Sequence, residues 1–120
     1  MSTQKRYSKK DLADFDKIIS EKLVNAESEL TYFKKQIEEL AESPEAKVKG
    51  LDDGIGTIES ERLYTMANRQ RKLIQHLQNA QIRINNGSYG VCRETGKLIS
   101  KARLMAVPHA TLSIEAKQKR

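Results

Sequence analysis

Tryptophan is absent from this 120-residue sequence, aromatic residues of any kind make up 5%, and there is one cysteine. With so few large rings, and 38% apolar residues against 32% charged, there is little from which to build a deep substrate pocket. The balance is closer to a solvated coiled coil than to a compact enzyme. A single cysteine excludes an intramolecular disulfide framework. No apolar run reaches the ~18 residues of a membrane helix, and no apolar amino-terminal stretch resembles a signal peptide, so a cytoplasmic protein away from membranes is expected. Phosphate-loop, His-Glu-x-x-His and Gly-x-Ser-x-Gly patterns are missing too, and the expectation is that the chain is not an enzyme. A chain this short makes one small domain, or an elongated element carrying a small lobe.

What is abundant is charge, and it is unevenly placed. The formal net charge of +6 divides into +4 over residues 1–10, −3 over residues 11–92 and +5 over residues 93–120. Asp11 to Glu45 is rich in acids, whereas Arg62, Arg69, Arg71, Lys72 and Arg83 follow Glu61 with no acid among them. Two helices of opposite sign would attract each other across a hairpin, each exposed pair contributing at most ~1 kcal/mol. A DNA reader gathers its bases on one surface, and here they are split among tail, second helix and lobe; sequence-specific DNA binding is not expected.

Apolar spacing supplies the architecture. Ser8-Lys9-Lys10-Asp11 reads as a capping box, followed by Leu12, Phe15, Ile19, Ala26, Leu30, Phe33, Ile37 and Leu40 at steps of three and four, with Lys22 interrupting beside Leu23. A second stripe, Leu63, Met66, Gln70, Leu73, Leu77, Ala80 and Ile84, closes at Asn85-Asn86-Gly87. Two such stripes predict a mostly α fold, a long antiparallel coiled-coil hairpin over residues 1–86, favoured as a monomer because the helices can bury each other's stripes. Ser43-Pro44 and Gly50-Leu51-Asp52-Asp53-Gly54-Ile55-Gly56 place a tip loop near 43–56. Tyr32, Phe33 and Tyr64 are expected as hairpin packing.

Past Gly87 the pattern becomes short apolar pieces. Val91-Cys92 and Leu98-Ile99 flank Glu94-Thr95-Gly96 as a small β-hairpin, and a short basic helix is expected near 114–119. Residues 87–120 have the layout of a zinc finger whose four corner positions read Cys92, Thr95, Ser113 and Ala116. A structural zinc site needs about four ligands in tetrahedral array, and three of these corners cannot supply one. The sequence therefore predicts no cofactor, argues against zinc, and expects Tyr89, Val91, Leu98, Ile99, Leu104, Val107, Leu112 and Ile114 to form an apolar plug. Cys92 is read as a small buried hydrophobe over a redox sensor. His76 and His109, with no second ligand at helical or hairpin spacing, are read as ordinary boundary histidines.

Tyr89-Gly90-Val91-Cys92, Gly96, Ala102-Arg103-Leu104 and Val107-Pro108 resemble the carboxy-terminal finger of the DksA/TraR family of bacterial transcription regulators, and Arg69-Gln70-Arg71-Lys72-Leu73-Ile74 resembles the Arg-x-Arg-Lys-Leu-Ile segment of DksA. The resemblance implies a regulator with no chemistry of its own, whose coiled coil enters the secondary channel of bacterial RNA polymerase and brings an acidic tip near the active centre. Asp52 falls on the family's tip aspartate, with Asp53 beside it; Lys49 and Gly54 depart from the family's Asp-x-x-Asp-x-Ala pattern. Arg69, Arg71, Lys72 and Lys117 are then the positions for docking the polymerase or the alarmone guanosine tetraphosphate, with His76 standing in place of a lysine of that set. Two other classes stay open at this point: a coiled-coil adaptor for another protein, and weak direct DNA binding through the basic tails.

Overall fold

In the computed structural model of the chain, residues 6–42 and 58–118 are described, and among them the elements are α1 (Lys9–Glu42), α2 (Ile58–Asn86), α3 (Lys101–Ala106) and α4 (Ile114–Gln118). The start of α1 is the one its capping residues dictate: Ser8 Oγ accepts the Asp11 N–H at 3.1 Å, and Leu12 N–H reaches Ser8 O at 2.9 Å. At the far end of α2, Gly87 adopts φ +82°, and the Ser88 and Tyr89 amides both turn back to Arg83 O, satisfying carbonyls that the helix itself leaves open. α1 and α2 pair as the helical hairpin that the two stripes predict. The tip loop expected near 43–56 lies outside the described residues.

Contacts divide the chain into two compact units, one gathering Met1–Leu23 with Gln75–Arg120 and the other Val24–Ile74. In the first, α1 gives Leu12, Phe15, Ile19 and Leu23 to the core and α2 gives Leu77 and Ala80, with Gln81 Nε2 donating to Ser20 Oγ across the pair at 3.3 Å. The apolar stripe passes through Leu23, leaving Lys22 exposed. Burying Ile19 and Leu77 completely stabilises this pairing by about 1.5–3 kcal/mol each.

The second unit is leaner. Its fully buried apolar residues, among those described, are Ala26 and Ala67, with Leu30, Phe33, Ile37, Leu40, Leu63, Met66 and Leu73 half-buried. Phe33 lies edge-on to Tyr32 with centroids 5.6 Å apart, but Tyr32 and Tyr64 are 58% and 54% exposed, which corrects their reading as hairpin packing. Neither occupies a step of its helix's stripe, so helical periodicity turns both outward.

Candidate functional site

The lobe is built on the base of the hairpin by a row of aromatic rings. Tyr89 is fully buried between the end of α2 and the lobe, its hydroxyl donating to Pro108 O at 2.7 Å, and burial pushes its ionisation well above the ordinary tyrosine value. Phe15 of α1 meets Tyr89 at 5.3 Å between centroids and Tyr7 edge-on at 5.5 Å. The Tyr7 hydroxyl in turn donates to Ile99 O. Gly90 makes this approach possible: it sits at φ +80°, and a Cβ there would stand 2.6 Å from two carbons of the Tyr7 ring. Lys101 and Asp11 close the outside of the same contact at 3.2 Å; that hydrogen bond is the main cause holding the Asp11 carboxyl below its ordinary range.

Of the predicted plug, Tyr89, Ile99 and Leu104 are fully buried, Val91, Leu98, Val107 and Leu112 are half-buried, and Ile114 is 49% exposed. Ala116 takes the inward place expected of Ile114, because α4 turns its third residue to the lobe. The expected hairpin is reduced to a single antiparallel bridge between Val91 and Leu98, with Cys92 N–H to Lys97 O at 2.8 Å and Gly96, at φ +73°, returning its N–H to Cys92 O. The helix α3, capped by Ser100 Oγ on Arg103 N–H, has no counterpart in the sequence reading.

At the four finger corners the structure brings Cys92 and Ser113 together. Cys92 is buried, and its Sγ accepts the Ser113 N–H at 3.4 Å. Burial raises the thiol's ionisation, but hydrogen bonds from the Thr95 side chain and from the Ser113, Thr95 and Glu94 amides outweigh it and bring it down to about 6. Ser113 Oγ caps α4 on Ala116 N–H, and Thr95 Oγ1 accepts Lys97 N–H at 3.2 Å, so each hydroxyl already has a backbone task.

On the other side of the lobe a cleft of about 690 Å³ opens between α2 and the 107–112 segment, lined by His76, Asn79, Arg83, Arg93, Arg103, His109 and Lys117 among others. Among the described residues, no carboxylate lines it. Two of its arginines are engaged with backbone: Arg83 Nη2 donates to His109 O at 3.4 Å and Arg103 Nε to Leu112 O at 2.9 Å. Arg83 is drawn below its ordinary value by burial, with Tyr89 opposing. Lys117 and Arg93 remain as exposed cations at the rim. His76 and His109, read separately in sequence, stack here with centroids 5.4 Å apart and planes 10° from parallel. Sequence spacing carries no signal for this pairing, since the two positions are 33 apart and the rest of α2 and all of α3 lie between them.

Arg69, Arg71 and Lys72 lie exposed on α2 within the second unit, Arg71 steadied by Nη1 donating to Asn68 Oδ1 at 2.9 Å, whereas Lys117 belongs to the first. Asp52 and Asp53 lie outside the described residues.

The lobe opens with Tyr89-Gly90 and turns at Cys92 and Ser113, and comparison with known proteins places it beside a family. Residues 87–120 match the prokaryotic dksA/traR C4-type zinc finger. The fold is similar to that of transcription factor DksA2 from Pseudomonas aeruginosa, with a TM-score of 0.77 and 26% identity over 90% of this chain and 81% of that one. These matches support the DksA/TraR resemblance carried by the finger's residues. It is also 53% identical over 51 residues to the RNA polymerase-binding transcription factor DksA of Caulobacter vibrioides, a match covering 42% of this chain and 36% of that protein. Against general stress protein 16O of Bacillus subtilis it is 33% identical over 100 residues, covering 79% of this chain and 61% of that protein. Less than two thirds of either curated relative is thus represented.

The family match corrects one expectation. The sequence predicts no cofactor and argues against zinc, but the matched family is one of C4-type zinc fingers, so a zinc-binding lobe is the pattern that residues 87–120 match. Four thiolates would hold the metal in such a finger. The corners of this chain offer one sulfur, two hydroxyls that cap or turn the backbone, and the methyl of Ala116, a donor set that does not fit a four-thiolate site. Among the described residues, no three His, Cys, Asp or Glu side chains are grouped to hold an ion elsewhere.

Proposed function

We propose that the chain regulates transcription by binding bacterial RNA polymerase, its helical hairpin entering the secondary channel and Asp52 and Asp53 acting on the active-centre region to modulate initiation. The observation that carries this reading is the likeness over 90% of the chain to a solved transcription factor of the family, joined to 53% identity with a relative named for polymerase binding. Carboxylates at the end of a helical hairpin can act electrostatically on a cation or catalytic metal that they approach. No catalytic role is assigned to any residue. Arg69, Arg71 and Lys72, exposed on one stretch of α2, suit a carboxylate- or phosphate-bearing rim, and Arg71 is pre-oriented by Asn68. Lys117, at the mouth of a cleft that no acid lines among the described residues, supports guanosine tetraphosphate as a second ligand. We read residues 1–86 as the hairpin and 87–120 as the lobe of a cytoplasmic monomer.

Co-purification with core polymerase and transcription from one sensitive promoter test this together. Asp52→Asn is expected to bind as the parent chain does and to lose its effect on transcription. Arg69→Ala is expected to weaken binding on the order of tenfold, the size of a charge-assisted contact. A chain that ignores polymerase and captures another protein would identify an adaptor; a steep salt-dependent shift of bare duplex DNA would identify a DNA binder.

A further inference from the structure

The histidine stack joins α2 to the 107–110 segment within the first unit. His76 is exposed on α2, and His109 is half-buried in the short segment between α3 and α4. That segment is tied to α2 by Arg83 Nη2, which donates to His109 O, and to the turn just past α2 by the Tyr89 hydroxyl, which donates to Pro108 O. Ala110 N–H closes a turn onto Val107 O at 3.0 Å, and Ala110 itself is buried. Within this arrangement His109 Nδ1 is buried with no hydrogen-bond partner.

The surroundings of the ring are of one sign. From α2 it faces His76 and Arg83, and around the same cleft stand Arg93 from the knuckle, Arg103 from α3 and Lys117 from α4, with no carboxylate lining it among the described residues. A neutral imidazole is stable there. A protonated one would gain a second N–H aimed at no acceptor and a charge among cations, with the other ring 5.4 Å away. Opening the segment to water relieves both costs.

We propose that the His76–His109 stack is a proton-operated latch, which holds the 107–110 segment against α2 while His109 is neutral and releases it when His109 takes a proton. Burial, His76 and Arg83, in that order, lower the proton affinity of His109 from its ordinary 6.5, in keeping with this direction. Because the closed state resists the proton, an open or unfolded segment binds it first. The latch therefore contributes its full stability above about pH 6.5 and loses it progressively as the pH falls below that value. Release would loosen the wall of the cleft that Lys117 and Arg93 border, so a fall in pH would act on the lobe's basic face.

The test uses the full chain, free in solution, and so does not depend on any polymerase activity. Imidazole and backbone amide NMR signals are followed together from pH 8 to pH 5. The expected result is a His109 midpoint below 6.5, with the Tyr89, Val107 and Ala110 amides shifting at that same midpoint. His76→Gln is expected to move the His109 midpoint back toward 6.5 and the amides with it, and His109→Gln, which keeps the backbone carbonyl used by Arg83, to flatten the amide response. A parent His109 midpoint at or above 6.5, amides that stay fixed through the titration, or an unchanged amide response in His109→Gln would overturn the latch. Should His109→Gln fail to fold, the exposed His76 position decides, and a midpoint unmoved in His76→Gln overturns it equally.

Discussion

Two glycines of the lobe share a backbone conformation and differ in what surrounds them. Gly90 and Gly96 both have positive φ, but an added Cβ at Gly90 meets the Tyr7 ring at 2.6 Å, while at Gly96 it meets nothing within 4 Å. Gly96→Ala is therefore expected to cost about 1–2 kcal/mol of stability, the backbone penalty alone. Gly90→Ala should cost about 2–5 kcal/mol, since crowding against the ring is added to it. Chemical denaturation of the two variants measures the difference, and equal losses would show that Tyr7 does not press on Gly90. At this scale the sequence was partly legible. Ser8 as a cap and Tyr89, Ile99 and Leu104 as buried groups follow from residue type and spacing. Tyr7 as the lobe's clasp does not, because its partner Ile99 is 92 positions away and no local pattern marks the pair.

Among the elements, α2 carries a polar group where its stripe would place an apolar one. Gln70 occupies a step of that stripe, and its Oε1 is buried without a hydrogen-bond partner. An unmet acceptor of this kind costs about 1–3 kcal/mol. Gln70→Leu is expected to raise the stability of the hairpin by about 1–2 kcal/mol, seen as a higher Tm, and a lower Tm would mean that the amide has a use the folded chain depends on. Helix positions were well legible, since steps of three and four over some thirty residues leave little choice of period. The stripe's content was less so: Ala67 is fully buried although it stands beside Met66, the residue the spacing selects. Small side chains allow helices to approach closely, which hydrophobicity alone does not foretell. The short α3 was missed for the opposite reason, since six residues hold too few turns for any periodicity to emerge.

For the molecule as a whole, the uneven distribution of buried groups sets the expectation. Among the described residues the Val24–Ile74 unit buries two alanines, whereas the other unit buries Tyr89, Ile19, Leu77, Ile99 and Leu104 together with Phe15, Tyr7 and several others. Amides at 24–42 and 58–74 are expected to exchange with solvent hydrogen on the order of tenfold or more faster than those at 75–86 of the same α2, read by hydrogen-exchange mass spectrometry. Uniform protection along α2 would contradict this. The family resemblance and the fold class were visible in the finger's residues and the two stripes. The histidine stack and the basic cleft were not, because both arise from side chains on separate elements that only the folded lobe assembles.

The clasp between Tyr7 and Ile99 also bears on how the chain reaches its native state. A ring near one extremity must wait for a carbonyl synthesised more than ninety residues later, so the lobe cannot settle while the nascent polypeptide is still short. Contacts of such long sequence separation slow the search for the native arrangement, in contrast to the rapid local winding of α1. Refolding should accordingly show early helix gain followed by a later step in which tyrosine emission changes as the two distant stretches meet.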